Sequence, residues 1–210
     1  MSQTALLRRD LGRVQSQRKT TIRLLVLLAL PLFVLATGNA PAGSLQRDTT
    51  EAIGLALVFL AILGRAWCTL YIGGRKIDRL VVTGPYSMMR NPLYGFSFMG
   101  AAGLGAQTGS VMLACGFALA AYLVFLPVVR HEERALHRMY GSTYGDYCRN
   151  VPRFLPKPSL WLEERSLDID PVRWRQTVVD ALLFLLLVPA VRGLAELQAA
   201  LPGLTLLRLP

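Results

Sequence analysis

Five stretches of the chain carry almost no charge: roughly residues 24–37, 52–72, 93–106, 111–129 and 177–191, each 14 to 21 residues long. A water-soluble core has no need of so many unbroken apolar runs, whereas one helical crossing of a bilayer needs about 20 mostly apolar residues. The pattern implies an all-α integral membrane bundle of about five transmembrane helices, with residues 1–210 forming a single domain. Only 17% of the residues are charged and 53% are hydrophobic; that excess excludes intrinsically disordered, collagen-like and disulfide-scaffold architectures. Residues 1–23 are a polar, basic lead-in. The first run follows that basic stretch and carries Pro31, and is read as a retained transmembrane helix, not a cleaved leader.

The net charge of +10 would suit a nucleic-acid binder, but its placement points elsewhere. Lys and Arg number six before the first run, then one, four, none, nine and two in the successive loops and tail, with Arg65 alone inside a run. Alternation of this kind is the positive-inside rule. It puts the N-terminus, residues 73–92 and residues 130–176 in the cytoplasm and the C-terminus outside. The basicity is thus topology plus attraction to anionic membrane lipids, with no nucleic-acid partner expected. Cys68, Cys115 and Cys148 suggest no disulfide framework, and no Cys/His spacing suggests a metal site. His131 and His137, six apart, share no helical face and read as surface residues. Arginine outnumbers lysine 20 to 3, a composition that fits a GC-rich, bacterial genome and an inner-membrane location.

Two loop segments next to apolar runs are dense in polar and aromatic residues. In the first, Gly84-Pro85 is a turn signal, and Asn91-Pro92 reads as an N-cap followed by proline at the first helical position. The helix that starts there presents unpaired N–H groups beside Arg90, a place suited to an anion. The second begins where the fourth run ends, with Glu132 and Glu133. A carboxylate pair at the hydrocarbon boundary needs positive partners or a cationic ligand; Arg130 and Arg134 are the neighbours that could serve. Tyr140, Tyr144 and Tyr147 share one face if the helix survives Gly141 and Gly145. Arg65 lies about 10 Å inside the second helix at helical rise, and reads equally as a snorkelling residue and as a lining of the ligand cavity. Gly103-Leu104-Gly105 reads as helix packing before any cofactor motif. The fifth run, 177–191, is short and interrupted by Pro189.

Gly84-Pro85-Tyr86, Arg90-Asn91-Pro92-Leu93-Tyr94, Glu132-Glu133, Tyr144-Gly145-Asp146-Tyr147 and Val151-Pro152-Arg153, in that order, resemble the motifs of the isoprenylcysteine carboxyl methyltransferases and their phospholipid methyltransferase relatives. The resemblance covers about residues 75–157 and leaves the first run and the segment 158–210, with its fifth helix, unsupported. It implies an S-adenosylmethionine-dependent methyltransferase. Its cytoplasmic cofactor cap is built after the fourth helix, and a lipophilic or lipid-anchored acceptor enters from the bilayer. By that resemblance Arg90 and Glu133 are catalytic and Arg90 meets the substrate; Arg65, outside the matched motifs, joins it as a substrate-binding candidate because it is an arginine inside a membrane helix. Gly84, Pro85, Tyr86, Asn91, Pro92, Tyr94, Glu132, Glu133 and Tyr144 then surround the cofactor. Tyr86 and Tyr94 read equally as interfacial tyrosines, and Tyr144 and Tyr147 also as packing. One departure stands out: the family histidine is Asn91 here, and an amide cannot titrate near neutral pH.

The chemistry of the residues is compatible with this. A helix start with Arg90 suits a carboxylate, and Glu132 or Glu133 suits an ammonium. A carboxylate acceptor needs no base, whereas an amine would need Tyr or Glu. Two other classes remain: a membrane reductase using a nicotinamide cofactor, and a non-catalytic membrane module.

Overall fold

In a computed structural model, the structure describes residues 36–41, 43–72, 79–167, 169–201 and 207–209. The first apolar run therefore lies outside the described residues up to position 35. Its last two residues, Ala36 and Thr37, are not helical but belong to β1 (Ala36–Gly38), which pairs in parallel with β2 (Leu207–Leu209). Between them the chain is helical: α1 (Leu45–Ile72), the single turn α2 (Pro85–Met88), α3 (Pro92–Ala106), α4 (Val111–Asn150), α5 (Pro171–Leu185) and α6 (Leu187–Ala200).

Among the described residues, three stretches are long and apolar enough to cross a membrane: α1, α4 and the consecutive pair from Pro171 to Gln198. Their outward faces carry large apolar side chains, among them Ile53, Phe59, Leu60 and Leu63 on α1 and Leu119 and Leu123 on α4. Such a belt would be an aggregation surface in water and is a solvation surface in lipid. The expected hairpin is present, with α3 and α4 joined by Gln107–Ser110, and Ser110 Oγ capping α4 by accepting from the Leu113 N–H at 3.1 Å. At 15 residues, α3 is too short to cross the hydrocarbon alone at about 1.5 Å per residue. It packs along α1 and α4 instead.

The glycines of α3 work in packing. A Cβ on Gly103 would stand 2.6 Å from the Gly54 carbonyl oxygen of α1, so the two backbones touch as small-residue helix crossings do. Buried Val58, Ile62 and Leu104 continue that contact toward Ala181 and Val188.

The C-terminal helix is longer than its apolar run and split. It starts at Pro171, six residues before the run, and breaks at Leu186. Pro189 is the cause: its ring would strike the Leu185 carbonyl in a continuous helix, but as third residue of α6 it needs no N–H partner.

A polar clamp closes the end of the bundle near β1 and β2. The fully buried Gln107 donates to the Glu51 carbonyl at 3.0 Å and the Gly103 carbonyl at 3.3 Å, and accepts from Arg192 Nε at 2.8 Å. Arg47 Nε meets the Glu51 carboxylate at 2.8 Å. Every polar group of the Gln107 amide is thereby engaged, which is what makes its burial tolerable.

Candidate active site

The opposite end of the bundle is organised by a backward turn in α4. Its apolar part, 111–129, leads into a charged part. At Gly141 the backbone takes φ 52°, ψ −125°, a conformation that essentially only glycine adopts. The helix axis bends there, and residues 142–150 fold back, with the His137 and Tyr144 rings 6.2 Å apart. Tyr140 precedes that bend, while Tyr144 and Tyr147 follow it with ring centroids 5.9 Å apart.

The returning chain then straps the Gly84–Asn91 segment. Arg90 N–H donates to the Pro152 carbonyl at 2.8 Å, Asn91 N–H to the Arg153 carbonyl at 3.2 Å and Lys157 N–H to the Met88 carbonyl at 3.0 Å. Gly84 N–H reaches the Leu162 carbonyl at 2.8 Å, and the Tyr147 hydroxyl donates to the Tyr86 carbonyl at 2.6 Å. Gly84 stands at φ 58°, ψ −134°, and a Cβ there would lie 2.2 Å from the Tyr71 ring. Only glycine fits the turn.

Glu133 sits at the centre of this end. Its carboxylate accepts from Arg153 Nε at 3.0 and 3.1 Å, from Arg153 Nη2 at 2.7 Å and from Asn91 Nδ2 at 3.0 Å, with Arg90 Nε 3.8 Å away. The expected partners Arg130 and Arg134 are not the ones used. One turn along a helix they point to the exposed face, and Arg134 Nε donates to the Arg130 carbonyl. Glu133 instead pairs with an arginine twenty positions on, which the Gly141 turn brings back. That hydrogen bonding holds the Arg153 guanidinium above its ordinary value, so it stays charged at any working pH. The Asn91 side chain does not cap α3, as the sequence suggests; it is spent on Glu133, while Pro92 takes the first helical position as expected.

Two cavities meet here. The first, about 520 Å³, lies between helices and is lined by Arg65, Tyr86, Arg90, Asn91, Tyr94, Glu132 and Tyr144 among others. The second, about 730 Å³, is an open cleft between the two arms of α4, lined by Arg90, Arg130, Glu133, Arg134, Arg153 and their neighbours. Arg90 and Tyr144 belong to both walls. Arg90 Nε is buried and makes no hydrogen bond among the described residues. Arg65 enters the first cavity from α1 and donates to Ser97 Oγ at 2.5 Å. Burial, then the charge of Glu133, push the Tyr144 phenol above its usual range; burial does the same for Tyr147. Both phenols are donors near neutral pH, not bases.

Of the expected cofactor residues, Gly84, Pro85 and Pro92 line neither cavity. They shape backbone: the turn at 84 and the first positions of α2 and α3. The sequence reading missed Arg173, Gln176, Thr177 and Asp180 of α5, which close one side of the first cavity. Asp180 was the available signal, an acid inside an apolar run. Among the described residues no three His, Cys, Asp or Glu side chains are grouped to hold a metal ion.

Residues 50–143 match the family model described as phospholipid methyltransferase. The chain is 39% identical over 166 residues to the nickel-cobalt-cadmium resistance protein NccN of Alcaligenes xylosoxydans xylosoxydans, covering 76% of this chain and 75% of that protein. It is 38% identical over 133 residues to the cobalt-zinc-cadmium resistance protein CzcN of Cupriavidus metallidurans, covering 63% and 61%. It is also 28% identical over 78 residues to protein-S-isoprenylcysteine O-methyltransferase B of Arabidopsis thaliana, covering 37% and 40%. No solved structure matches.

Proposed function

Because this chain belongs to the membrane methyltransferase family that unites phospholipid and isoprenylcysteine carboxyl methyltransferases, we propose that it transfers a methyl group from S-adenosylmethionine to a lipophilic acceptor reached from the bilayer. The observation that carries the reading is the wall of the first cavity, where the buried Arg90 Nε, Glu132, Tyr86, Tyr94 and Tyr144 come together among the helices. Cofactor and acceptor headgroup would meet there, and methyl transfer gains mainly from alignment and exclusion of water.

The residues fit the cofactor. The buried Arg90 Nε without a hydrogen bond suits its carboxylate, Glu132 suits its ammonium, and the faces of Tyr86, Tyr94 and Tyr144 suit its sulfonium. When bound, S-adenosylmethionine supplies an electrophilic methyl group. Arg90 and Glu132 bind and orient, and Tyr144 donates a hydrogen bond and excludes water. Glu133 acts through others: already engaged by Arg153 and Asn91, it positions Arg90.

A carboxylate acceptor fits this cavity better than an amine. An amine must first lose a proton, and the buried phenols are poor bases. A carboxylate arrives ionised and finds Arg65 and Arg90 in the wall, with Arg79 and Arg173 nearby but paired to Glu164 and Asp170. Arginine-rich loops support a cytoplasmic site, and the excess of arginine over lysine, 20 to 3, supports a bacterial inner-membrane location.

Calorimetric titration of S-adenosylmethionine into the detergent-purified protein tests the reading. Micromolar binding is expected, weakened at least tenfold by Arg90→Ala. Absence of binding in a folded, relipidated sample, with affinity for a nicotinamide cofactor instead, would make the protein a reductase; affinity for neither would make it a non-catalytic module.

A further inference from the structure

The open cleft differs from the first cavity in how its charge is balanced. Around the first cavity, Arg79 pairs with Glu164 and Arg173 with Asp170. Around the cleft, Glu133 is taken up by Arg153 and Arg90. Arg130, Arg134 and Arg138 also line it, all exposed, and none meets a carboxylate among the described residues. These three recur every four residues, so they form one row along α4, spanning about 12 Å at helical rise.

The row begins directly after Val129, the last residue of an uncharged stretch that starts at Val111. On that stretch, Met112, Leu119 and Leu123 are exposed to 51%, 57% and 56%. Their spacing to Arg130 and Arg134 is seven, four, seven and four, which keeps all five on one helical face. One continuous face is thus apolar for two-thirds of its length and then turns cationic. A soluble phosphate would have no use for the leucines, and an uncharged lipid none for the arginines.

We propose that this face and cleft bind one anionic phospholipid. Its acyl chains run along Met112, Leu119 and Leu123, and its headgroup phosphate is held by Arg130, Arg134 and Arg138. Guanidinium groups suit phosphate oxygens by charge and by planar, paired donors. The site is separate from the acceptor in the first cavity, and does not depend on which molecule occupies that cavity. Arg90 lines the same cleft, so the bound lipid shares a cavity wall with it.

Native mass spectrometry of the delipidated full-length protein, titrated with phosphatidylglycerol or phosphatidylcholine, tests this. Phosphatidylglycerol adducts are expected to persist at least tenfold more than phosphatidylcholine adducts. The exposed-surface variant Arg130→Gln/Arg134→Gln/Arg138→Gln is expected to weaken phosphatidylglycerol binding on the order of tenfold to a hundredfold, as loss of three basic groups near an anionic headgroup should. Arg165→Gln/Arg175→Gln, also exposed, should leave it unchanged. Equal retention of the two lipids, or equal losses in both variants, would overturn the proposal. So would displacement of the lipid by millimolar glycerol phosphate, which would mark a soluble ligand. The thermal melt of each variant separates loss of binding from loss of fold, and none of these readouts requires methyltransferase activity.

Discussion

Asn91 illustrates how a single side chain sets the chemistry of this site. Its amide gives Glu133 a fixed hydrogen bond of 3.0 Å, neutral at every pH. Asn91→Asp would place a second carboxylate against Glu133 with the same two arginines to satisfy both. That change should cost about 1–3 kcal/mol of stability in thermal unfolding, the range for a buried or half-buried group left without its donor. Asn91→His should keep the donor and add a titration. An imidazolium beside Glu133 gains a partner, so its pKa in the folded state rises above the unfolded value of about 6.5. The added stability is then fully present below about pH 6.5 and fades as pH climbs through the folded value. Melting temperatures of Asn91→His and the parent protein should therefore converge between pH 6 and pH 9. A constant offset across that range would show that residue 91 does not sense Glu133.

At the scale of elements, the decisive object is the turn in α4. Nothing lies within 4 Å of a Cβ built on Gly141, so Gly141→Ala would meet no clash and only a backbone penalty of about 1–3 kcal/mol. If residue 141 relaxes to helical angles, residues 142–153 swing away, Arg153 leaves Glu133, and the strap on residues 84–91 is lost. Gly141→Ala should thus cut affinity for S-adenosylmethionine more than tenfold while the circular-dichroism helix content stays near that of the parent. Unchanged affinity would show that the backward turn is not needed for the site. This element also marks the limit of what was legible in the sequence. The α3–α4 hairpin, the helix start at Pro92 and the glycine packing of α3 all follow from local residue chemistry, and they match. The partners of Glu133 do not, because the sequence offers only its near neighbours Arg130 and Arg134, three before it and one after it, and a straight α4 would keep Arg153 far away. Gly141 was visible as a weak point, but the direction of a bend is a tertiary property. The same holds for α5. An apolar run reports that a helix is buried in lipid, not which polar side chains on its inner face reach a cavity 80 residues away in sequence, so Arg173 and Asp180 went unread.

For the whole molecule, the two ends of the bundle are built for opposite purposes. One is shut by the Gln107–Glu51–Arg192 clamp and the short β1–β2 pair, with its polar groups satisfied internally. The other opens into two cavities rimmed by arginine. The proposed reaction, with its cofactor supplied from one compartment, would use this asymmetry, and the loop charges give it a direction: the arginine-rich end should face the cytoplasm. Cysteine labelling can check that. In a background where Cys115 and Cys148 are replaced by Ala and Ser, the buried Cys68 is expected to stay silent. Gln46→Cys reports the clamped end, Arg149→Cys the open one, and both positions are exposed. A membrane-impermeant maleimide should label position 46 in spheroplasts and position 149 only in inverted vesicles. The reverse pattern would put the arginine-rich end outside the cell. Cytosolic S-adenosylmethionine would then have no path to the first cavity, and the positive-inside reading and the methyltransferase reading would fall together, since both depend on which side Arg90 faces.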